Sequence, residues 1–428
     1  ILIKFMLRIS IIKQNPEKII SSLKKKNFNA QKIIKEIIEI DNLRINIQKE
    51  LNSLQSEMNS LSKEIGICFA KNETEKAQKL KNESGTLKNL IQTKNNDQKI
   101  TIKKINELLI KIPNVPNENV PIGKSEDDNE VLETYGKKPN LKNDKLPHWE
   151  LAKKYDIINF EKGNIITGSG FPLYKNKGAK LQRSLINFFL DFNIKNGYIE
   201  YLPPQLVNEA SAFGTGNFPD KEGQMYHIEK DNLYLIPTAE VPLTNIFRDE
   251  IIDLESLPQK LTAYTPCFRR EAGSYGKNVR GLNRLHQFDK VEIVQLAHPE
   301  KSHFHLKEMV SHISKILETL ELPFRLVKLC GGDLSFSSSL TYDFEVFSGA
   351  QNKWLEVSSV SNFESFQATR SNIKFRENNK LDFCHTLNGS ALALPRIMAA
   401  ILENNQTESG IKIPKALCKY TGFKIISK

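Results

Sequence analysis

The chain has 428 residues, of which 61 are Lys or Arg and 50 are Asp or Glu, so its formal net charge is +11 at pH 7. This length predicts two or three domains, and 39% hydrophobic with 26% charged residues is typical of a globular protein. The longest apolar run, Ile397–Leu402, is far shorter than the roughly 20 residues of a membrane span, so we expect no membrane association.

The cysteines indicate a reducing compartment. There are five, at positions 68, 267, 330, 384 and 418, and no two are spaced C-x-x-C. An odd number without such pairs argues against a disulfide framework and against a paired-cysteine zinc site. The apolar segment Ile1–Ile12 lacks a small-residue cleavage site, so we expect no secretory leader and a cytoplasmic protein.

The positive charge is concentrated in the first quarter of the chain. Residues 1–111 contain 22 Lys and Arg against 12 Asp and Glu, whereas the remaining residues contain 39 and 38. A segregated basic segment predicts a phosphate-rich partner, because Lys and Arg displace the counterions condensed on nucleic acid. A general bias toward Lys is the alternative, but it does not explain the balanced charge after residue 111.

The basic segment has the pattern of two helices. Residues 31–65 contain no Gly or Pro, and their seam positions alternate by three and four residues. These positions are Ile37, Ile40, Arg44, Ile47, Leu51, Leu54, Met58, Leu61 and Ile65. Gly66 and Lys71–Thr74 then interrupt the pattern, and a weaker seam follows at Ala77, Leu80, Leu87, Ile91, Ile105 and Leu108. The spacing predicts an antiparallel hairpin about 50–60 Å long. Such a hairpin can mediate dimerisation or bind RNA, and its charge favours RNA.

A proline-containing polar stretch predicts a domain boundary after the second helix. Pro113–Pro116 ends the helical pattern, and Pro121 and Gly123 continue the stretch. We therefore predict a basic arm at residues 1–112, a linker and entry segment at 113–165, and a larger domain at 166–428.

Three segments of the larger domain are candidates for chemistry. The first, Gly197–Pro204, follows a helical pattern. The second consists of Thr265–Glu271, a polar loop and Leu285–Glu292, and its pattern predicts an antiparallel strand–loop–strand. The third, Thr386–Arg396, has the pattern of a strand that enters a helix.

The second segment places an arginine and a carboxylate two residues apart. On a strand, Arg269 and Glu271 would share one face, and together they suit a ligand with a phosphate and a base or ribose edge. Arg396 could supply a second cation to a polyphosphate. The alternative for such a pair is an ordinary surface ion pair. Neither Gly273–Lys277 nor Gly163–Gly170 completes a Walker A phosphate loop.

The three segments resemble, in order and spacing, motifs 1, 2 and 3 of class II aminoacyl-tRNA synthetases. Shorter strings resemble bacterial seryl-tRNA synthetases, and the resemblance runs from about Met6 to the end of the chain. These strings are Pro237–Thr244, Phe268–Ser274, His286–Glu292, Glu356–Ser359 and Thr386–Ser390. The resemblance implies an α+β fold, in which an N-terminal helical hairpin precedes a class II catalytic domain built on an antiparallel sheet flanked by helices.

The resemblance also implies the roles of individual residues toward ATP. Arg269 would contact the α-phosphate, Arg396 the γ-phosphate and Glu271 the adenine side, and these three are the predicted catalytic residues. Phe288 would stack on the base. The complete predicted ATP set is Arg269, Arg270, Glu271, Phe288, Glu356, Val357, Ser358, Ser359 and Arg396. Glu356 and Ser359 would also hold the Mg²⁺ that accompanies ATP.

The predicted serine set is Thr238, Ala239, Glu240, Arg269, Glu292 and Ser390. Its two carboxylates suit an ammonium and a hydroxyl group, and the resemblance leaves open which takes which. The implied activity is ATP-dependent activation of L-serine to seryl-adenylate and transfer of serine to the 3′ end of tRNA(Ser). Whether tRNA(Sec) is also a substrate stays open. The expected assembly is a homodimer formed through the surface around Pro204, without zinc.

Three alternatives compete with this interpretation. One is a class II ligase that activates another small amino acid or loads a carrier protein. Another is an inactive paralogue that binds RNA, and the third is a coiled-coil scaffold.

The chain departs from the family at a few positions. Ala391 and Pro395 stand where the family often has glycine, and both suit a strand entering a helix. Ile1–Phe5 precede Met6, where similar proteins begin. We expect the histidines at 303, 305 and 312 to be solvated rather than metal ligands, because the first two diverge on a helix.

Overall fold

The structure, a computed structural model, describes residues 9–141, 145–220, 223–271 and 280–428. The chain divides into two compact units. One comprises the chain up to Pro113 except Lys25–Asn27, and the other comprises Lys25–Asn27 and Asn114–Lys428. The family-like positions Ala272–Ser274, together with Met6 and the residues before it, lie outside the described residues.

The first unit is helical and contains a long antiparallel pair. Its helices are α1 (Ile9–Gln14), α2 (Pro16–Lys24), α3 (Gln31–Ala70) and α4 (Thr74–Leu109). The 40 residues of α3 correspond to about 60 Å at 1.5 Å per residue. Ile37 and Leu51 of α3 and Leu87 and Ile105 of α4 are buried, so the predicted seams are those that the pair buries.

Of the two interruptions in the pattern, Lys71–Thr74 ends the first arm helix, whereas Gly66 does not. Helix α3 continues through Gly66 to Ala70. A glycine inside a helix costs only about 1 kcal/mol relative to alanine, and a helix of 40 residues tolerates that cost. The turn instead lies at Lys71, whose N–H donates to the carbonyls of Ile67 and Cys68.

The polar seam position Arg44 has a structural partner. Asp41 is buried, and its carboxylate lies 2.7 Å from Arg44 Nη2 and 2.8 Å from Lys13 Nζ. Lys13 belongs to α1, so this charge cluster fastens α1 to the arm helix. A buried carboxylate requires such pairing, because an unpaired buried charge is strongly unfavourable.

The second unit is built on an eight-stranded sheet. Its helices are α5 (His148–Lys154), α6 (Phe160–Ile166), α7 (Asn176–Lys195), α8 (Glu209–Thr215), α9 (Glu240–Asn245), α10 (Ser302–Thr319), α11 (Phe366–Ser371), α12 (Leu394–Asn404) and α13 (Cys418–Thr421). Its strands are β1 (Glu130–Tyr135), β2 (Ile158–Asn159), β3 (Leu173–Tyr174), β4 (Ile199–Glu200), β5 (Leu206–Asn208), β6 (His227–Ile228), β7 (Leu233–Leu235), β8 (Ile251–Asp253), β9 (Gln259–Phe268), β10 (Gln287–Ala297), β11 (Phe324–Lys328), β12 (Leu340–Ser348), β13 (Lys353–Glu364), β14 (Lys374–Glu377), β15 (Lys380–Phe383), β16 (His385–Ala393), β17 (Gln406–Thr407), β18 (Gly410–Lys412) and β19 (Ile425–Ile426).

The strand order of the large sheet is β1-β11-β12-β13-β16-β10-β9-β4. Every neighbouring pair is antiparallel except β4 and β9, which are parallel. Phe189 of α7, Met309 of α10 and Ile397 of α12 pack in one core with Ile293 and Val360 of the sheet. The predicted α+β fold, a helical hairpin followed by an antiparallel sheet flanked by helices, is confirmed.

The second candidate segment forms the predicted strand–loop–strand. β9 and β10 pair over their full length, with Cys267 opposite Phe288. However, β9 ends at Phe268, and Glu271 has a φ of +48°. Arg269 and Glu271 therefore lie beyond the strand, and strand alternation does not explain their orientation.

The prediction of solvated histidines is wrong at two of its three positions. His305 and His312 are buried on α10. His312 Nε2 lies 2.7 Å from Asn193 Oδ1, and burial lowers the pKa of His312 to about 4. His305 Nδ1 lies 2.7 Å from the carboxylate of Glu308. Both rings lie on the face of α10 that packs against the unit, which a spacing argument about metal ligands does not consider.

Candidate active site

A cleft in the second unit brings together residues from three strands, one helix and the segments that follow β9 and precede β10. It is bounded by the ends of β9 and β10, by β13 and β16, and by the first turn of α12. Seven predicted residues line it: Arg269, Glu271, Phe288, Glu356, Val357, Ser390 and Arg396. Three residues to which the sequence analysis gave no role also line it: Asn283, Arg284 and Lys290.

One wall of the cleft joins an arginine to an aromatic ring. The guanidinium carbon of Arg269 lies 5.3 Å from the centroid of the Phe288 ring, within cation–π distance. The backbone N–H of Arg269 donates to the carbonyl of His286 at 2.9 Å, which extends the β9–β10 pairing by one step. The wall therefore presents a fixed positive charge beside a flat apolar surface.

The carboxylate of Glu271 already has a cationic partner. Arg284 Nε donates to Glu271 Oε2, and the Glu271 side chain is largely shielded from solvent. The two residues lie on opposite sides of the loop that connects β9 to β10. Arg284 therefore holds Glu271 toward the cleft.

Arg396 connects three parts of the cleft. It lies in the first turn of α12, and its Nε donates to the carbonyl of Asn283 at 3.2 Å. Its Nη1 donates to the carbonyl of Glu356 at 2.6 Å and lies 3.5 Å from the Glu356 carboxylate. Pro395 occupies the second position of this helix, where no intrahelical N–H is needed, as expected.

The residues Glu356–Ser359 of β13 have different surroundings. Glu356 and Val357 line the cleft, whereas Ser358 is buried and donates to the carbonyl of Ser390 at 2.6 Å. Ser359 does not reach the cleft; with Glu356 it lines a neighbouring polar cavity that also contains Asp343. Burial raises the pKa of Asp343, the charge of Glu356 raises it further, and a hydrogen bond from Ser359 opposes the rise.

Two further predicted residues contribute elsewhere than in the cleft. The guanidinium of Arg270 lies 5.6 Å from the Tyr226 ring centroid, and its backbone N–H donates to Gln224. Ala239 packs in an apolar cluster with Leu261. Ala239 is fully buried.

Two buried carboxylates lie behind the cleft and differ in their partners. Glu292 Oε2 lies 2.6 Å from Lys290 Nζ and accepts from the Thr238 hydroxyl at 3.1 Å, whereas its Oε1 is buried with no partner among the described residues. Glu240 accepts only amide hydrogen bonds from side chains, from Gln367 at 2.6 Å and from Asn388 at 2.6 Å. Ser390 is the direct neighbour of Glu292 in the β10–β16 pairing.

The surroundings raise the pKa of both carboxylates. Burial, followed by the charge of Glu292, raises the pKa of Glu240 to about 7, and the amide hydrogen bonds oppose that rise. Burial also raises the pKa of Glu292, and the charge of Lys290 opposes it. Lys290 thus favours the ionised form of Glu292, while Glu240 has no paired cation among the described residues. The pocket can therefore accept a ligand cation.

Three residues at the site, Lys290, Gln367 and Asn388, were not among the predicted site residues. Lys290 lies within the family-like string His286–Glu292. Its spacing of two residues from Glu292 on one strand could have indicated that the two side chains share a face. Gln367 and Asn388 reach Glu240 from other elements, and no local pattern marks such amides.

Taken together, one end of the cleft carries arginines beside an aromatic ring, and the other end leads to paired carboxylates. Such an arrangement suits a ligand with phosphates at one end and an ammonium group at the other.

Comparison with known proteins decides the family. Residues 6–116 match the seryl-tRNA synthetase N-terminal domain, and residues 225–405 match the tRNA synthetase class II core domain (G, H, P, S and T). A serine–tRNA ligase of Salinibacter ruber is 45% identical over 98% of this chain and 98% of its own length. The chain belongs to the seryl-tRNA synthetase family.

Solved structures of this family have the same fold. The ATP-complexed seryl-tRNA synthetase of Pyrococcus horikoshii superposes with a TM-score of 0.93 at 35% identity, covering 98% of this chain and 99% of its own. The cytoplasmic serine–tRNA ligase of Naegleria fowleri, in complex with AMP, gives a TM-score of 0.88 at 26% identity, covering 99% and 98%. These matches confirm the resemblance on which the residue roles were predicted.

Two kinds of feature are absent from the part of the chain that the structure describes. Across residues 9–141, 145–220, 223–271 and 280–428, no three His, Cys, Asp or Glu side chains are grouped to hold a metal ion by themselves. In those same ranges, no helix combines the length and apolar character needed to cross a membrane.

Proposed function

We propose that this seryl-tRNA synthetase family member uses ATP to activate L-serine as seryl-adenylate and transfers serine to the 3′ end of tRNA(Ser). The observation that carries the proposal is a cleft lined by Arg269, Phe288 and Arg396, behind which lies the buried carboxylate of Glu292, one oxygen of which has no partner among the described residues. Phosphate recognition and amino-group recognition thus lie side by side.

The cation-rich end is the proposed ATP subsite. Arg269 contacts the α-phosphate, and the Phe288 ring stacks on adenine with the face that Arg269 does not cover. Arg396 contacts the γ-phosphate from the first turn of α12. Glu271, held by Arg284, receives the amino edge of the base. In this arrangement the arginines supply charge, and the ring supplies an apolar surface.

The carboxylate end is the proposed serine subsite, formed by Thr238, Glu240, Glu292 and Ser390 with the main chain of Ala239. Glu292 Oε1, which has no partner among the described residues, accepts a hydrogen bond from the ammonium or the hydroxyl group of serine. Glu240 adds a negative charge that favours the ammonium. A buried acceptor left without a donor is costly, which disfavours amino acids that lack the hydroxyl.

Glu356 and Ser359 fit the Mg²⁺ that accompanies ATP. Their oxygens line one cavity together with a buried Asp343 oxygen that has no partner among the described residues, and oxygen ligands suit Mg²⁺. When bound, the ion would neutralise phosphate charge. Val357 lines the ATP subsite directly, whereas Arg270 contacts Tyr226 and Ser358 donates to the carbonyl of Ser390 outside it.

The reaction proceeds in two displacement steps without a covalent bond to the enzyme. A serine carboxylate oxygen attacks the α-phosphorus and pyrophosphate leaves, forming the mixed anhydride. The terminal ribose hydroxyl of tRNA then attacks the serine carbonyl carbon, AMP leaves, and the hydroxyl proton is released. Arg269 stabilises the negative charge that develops on the α-phosphoryl oxygens, and the cleft positions the reactants.

The helical hairpin is the proposed tRNA-binding arm. Its excess of Lys and Arg suits contacts to the phosphate backbone, which recognise the shape of RNA rather than its sequence. We propose domain limits of 1–112 for the arm, 113–165 for the linker and entry segment, and 166–428 for the catalytic domain. Whether tRNA(Sec) is charged is decided by offering it beside tRNA(Ser).

The proposed assembly is a cytoplasmic homodimer. Leu202 and Ile199, close to Pro204, are 87% and 56% exposed in the single chain. Ile199 lies on the edge strand β4 and Leu202 two residues after it, and apolar side chains at such an edge are costly to leave in water. A second copy of the chain at this edge would cover them.

The test is serine-dependent ATP–pyrophosphate exchange, with alanine, threonine, cysteine and glycine in parallel, on the wild type and on Arg269→Ala. We expect exchange with serine and its loss in the variant. Exchange with another amino acid would indicate a ligase of different specificity. A folded protein that binds tRNA but exchanges with none of the five would indicate an inactive paralogue.

A further inference from the structure

A buried histidine–glutamate pair lies next to the cleft without lining it. His148, the first residue of α5, and Glu403, near the end of α12, are both buried. His148 Nδ1 lies 2.7 Å from Glu403 Oε1, and the backbone N–H of His148 donates to the same oxygen at 2.9 Å. Neither residue contributes to the proposed subsites.

The second nitrogen of the imidazole binds the wall of the cleft. The backbone N–H of Leu282 donates to His148 Nε2 at 2.8 Å. Because Nε2 accepts, a neutral ring carries its proton on Nδ1 and donates it to Glu403. Burial tends to raise the pKa of Glu403, but hydrogen bonds from His148 and Ser348 hold that pKa below its ordinary value. Glu403 is therefore a carboxylate that orients the ring.

These contacts form a closed path beside the phosphate end of the cleft. Leu282 is followed by Asn283, whose carbonyl accepts the Nε–H of Arg396. Arg396 and Glu403 belong to the same helix, α12, seven residues apart. The path thus runs from Leu282 through His148, Glu403 and α12 to Arg396 and back to Asn283. A rigid helix with both ends attached leaves the arginine little freedom.

Other contacts of residues 281–283 also hold this segment close to His148 and Glu403. Gly281 has a φ of +72°, and a Cβ at that position would lie 2.2 Å from His148 Nε2. Asn283 Nδ2 donates to Gln351 at 2.9 Å, and Gln351 in turn donates to Glu403 at 2.9 Å. The close approach and the second link both fix residues 281–283 relative to Glu403.

We propose that His148 is a positioning residue, which fixes the cleft segment 281–284 against α12 and thereby places Arg396 on the γ-phosphate of ATP. This inference rests on the proposed function for the identity of the nucleotide. In this proposal His148 contacts neither substrate. Because it acts through Arg396, its replacement should weaken the binding of ATP and leave the binding of serine unchanged.

Two substitutions of His148 separate its two hydrogen bonds. In His148→Gln the amide oxygen can replace Nε2 as the acceptor for Leu282, whereas in His148→Asn the amide can replace Nδ1 as the donor to Glu403. We expect His148→Asn to raise the KM for ATP about tenfold, the ratio that corresponds to one net hydrogen bond. The KM for serine stays unchanged in both variants, and His148→Gln keeps the KM for ATP near that of the wild type.

The coupling to Arg396 is measured with a double-mutant cycle. Equilibrium affinity for ATP is determined by calorimetry for the wild type, His148→Asn, Arg396→Ala and the double variant. We expect His148→Asn to have no further effect once Arg396 is alanine, because the two share one path. Equal effects of His148→Asn in both backgrounds would overturn the inference.

A matched control distinguishes positioning from loss of stability. His312 is also buried in this unit and bonded to a neighbour, but that neighbour, Asn193, does not line the cleft. We expect His312→Asn to lower stability in urea without raising the KM for ATP. If both histidine variants change the KM for ATP alike, the role of His148 is structural only.

Two measurements keep the test decisive in other cases. If His148→Asn does not fold, Glu403→Gln replaces it, and a wild-type KM for ATP in that variant would overturn the inference. If the wild type shows no serine-dependent exchange, the proposed function fails, and amide hydrogen exchange at 281–284 still decides the anchor. Faster exchange there in His148→Asn than in His148→Gln supports it, and equal rates refute it.

Discussion

Lowering the pH should weaken serine binding through Glu240. Burial and the charge of Glu292 raise the pKa of Glu240 to about 7. With that pKa, roughly nine tenths of the side chains are ionised at pH 8 and about one tenth at pH 6. A bound ammonium group favours the ionised form, so we expect the KM for serine to rise about tenfold between pH 8 and pH 6.

The assay is pyrophosphate exchange at fixed saturating ATP, with serine titrated at half-unit steps of pH. Glu240→Gln keeps the size of the side chain and cannot titrate, so its KM for serine should be higher at pH 8 but nearly independent of pH. The KM for ATP, measured in parallel, controls for other titrations. Parallel pH profiles in the wild type and the variant would refute the assignment of this titration to Glu240.

The same shift makes a prediction for stability. A carboxyl group whose pKa is higher in the folded than in the unfolded protein contributes stability that is present at low pH and is lost as the pH rises through the folded pKa. From an ordinary value of 4.5 to about 7, the loss between pH 4.5 and pH 8 is about 3 kcal/mol. In urea titrations, the wild type should lose this much stability relative to Glu240→Gln.

Three further substitutions test other parts of the structure. Lys290→Met breaks a buried ion pair and should lower the free energy of unfolding by about 3 kcal/mol; adding Glu292→Gln should restore part of it in urea titrations, and no recovery would contradict the pairing. Leu51→Ala leaves a cavity in the arm that costs about 2–5 kcal/mol, so amide exchange in the arm should accelerate while pyrophosphate exchange is unchanged. The side chain of Leu43 is 53% exposed, so Leu43→Ala should change neither rate. Arg284→Ala removes the ion-pair partner of Glu271 and should raise the KM for ATP up to about fivefold. An unchanged KM for ATP would show that this ion pair has no role in ATP binding.

The fold was predictable where a pattern repeats along the chain. The arm seams, the strand–loop–strand and the strand entering α12 are local periodicities, and the structure contains all three. The end of α3 coincides with the interruption at Lys71–Thr74, whereas Gly66 lies inside the helix because the cost of one glycine is small there. The orientation of Glu271 depends on a positive φ beyond the strand, which strand alternation does not predict.

The site was predictable only in part. Arg269, Phe288, Glu356 and Arg396 were found because they belong to recognisable strings, and they meet in one cleft. His148 and its partner Glu403 are separated by 255 positions and stand in no pattern that marks them as neighbours. Buried amide and histidine contacts of this kind arise from tertiary packing, which no local spacing encodes.

The order of strands in the large sheet has a consequence for synthesis of the chain. β16 lies in the middle of the sheet, between β13 and β10, yet it is the last of the eight strands to be made. Until residues 385–393 leave the ribosome, the sheet is two halves, each with an open inner edge. Such edges invite pairing with other chains. Ribosome stalling shortly before His385 should therefore yield nascent chains that aggregate, whereas the arm helices, complete by residue 109, can already pair.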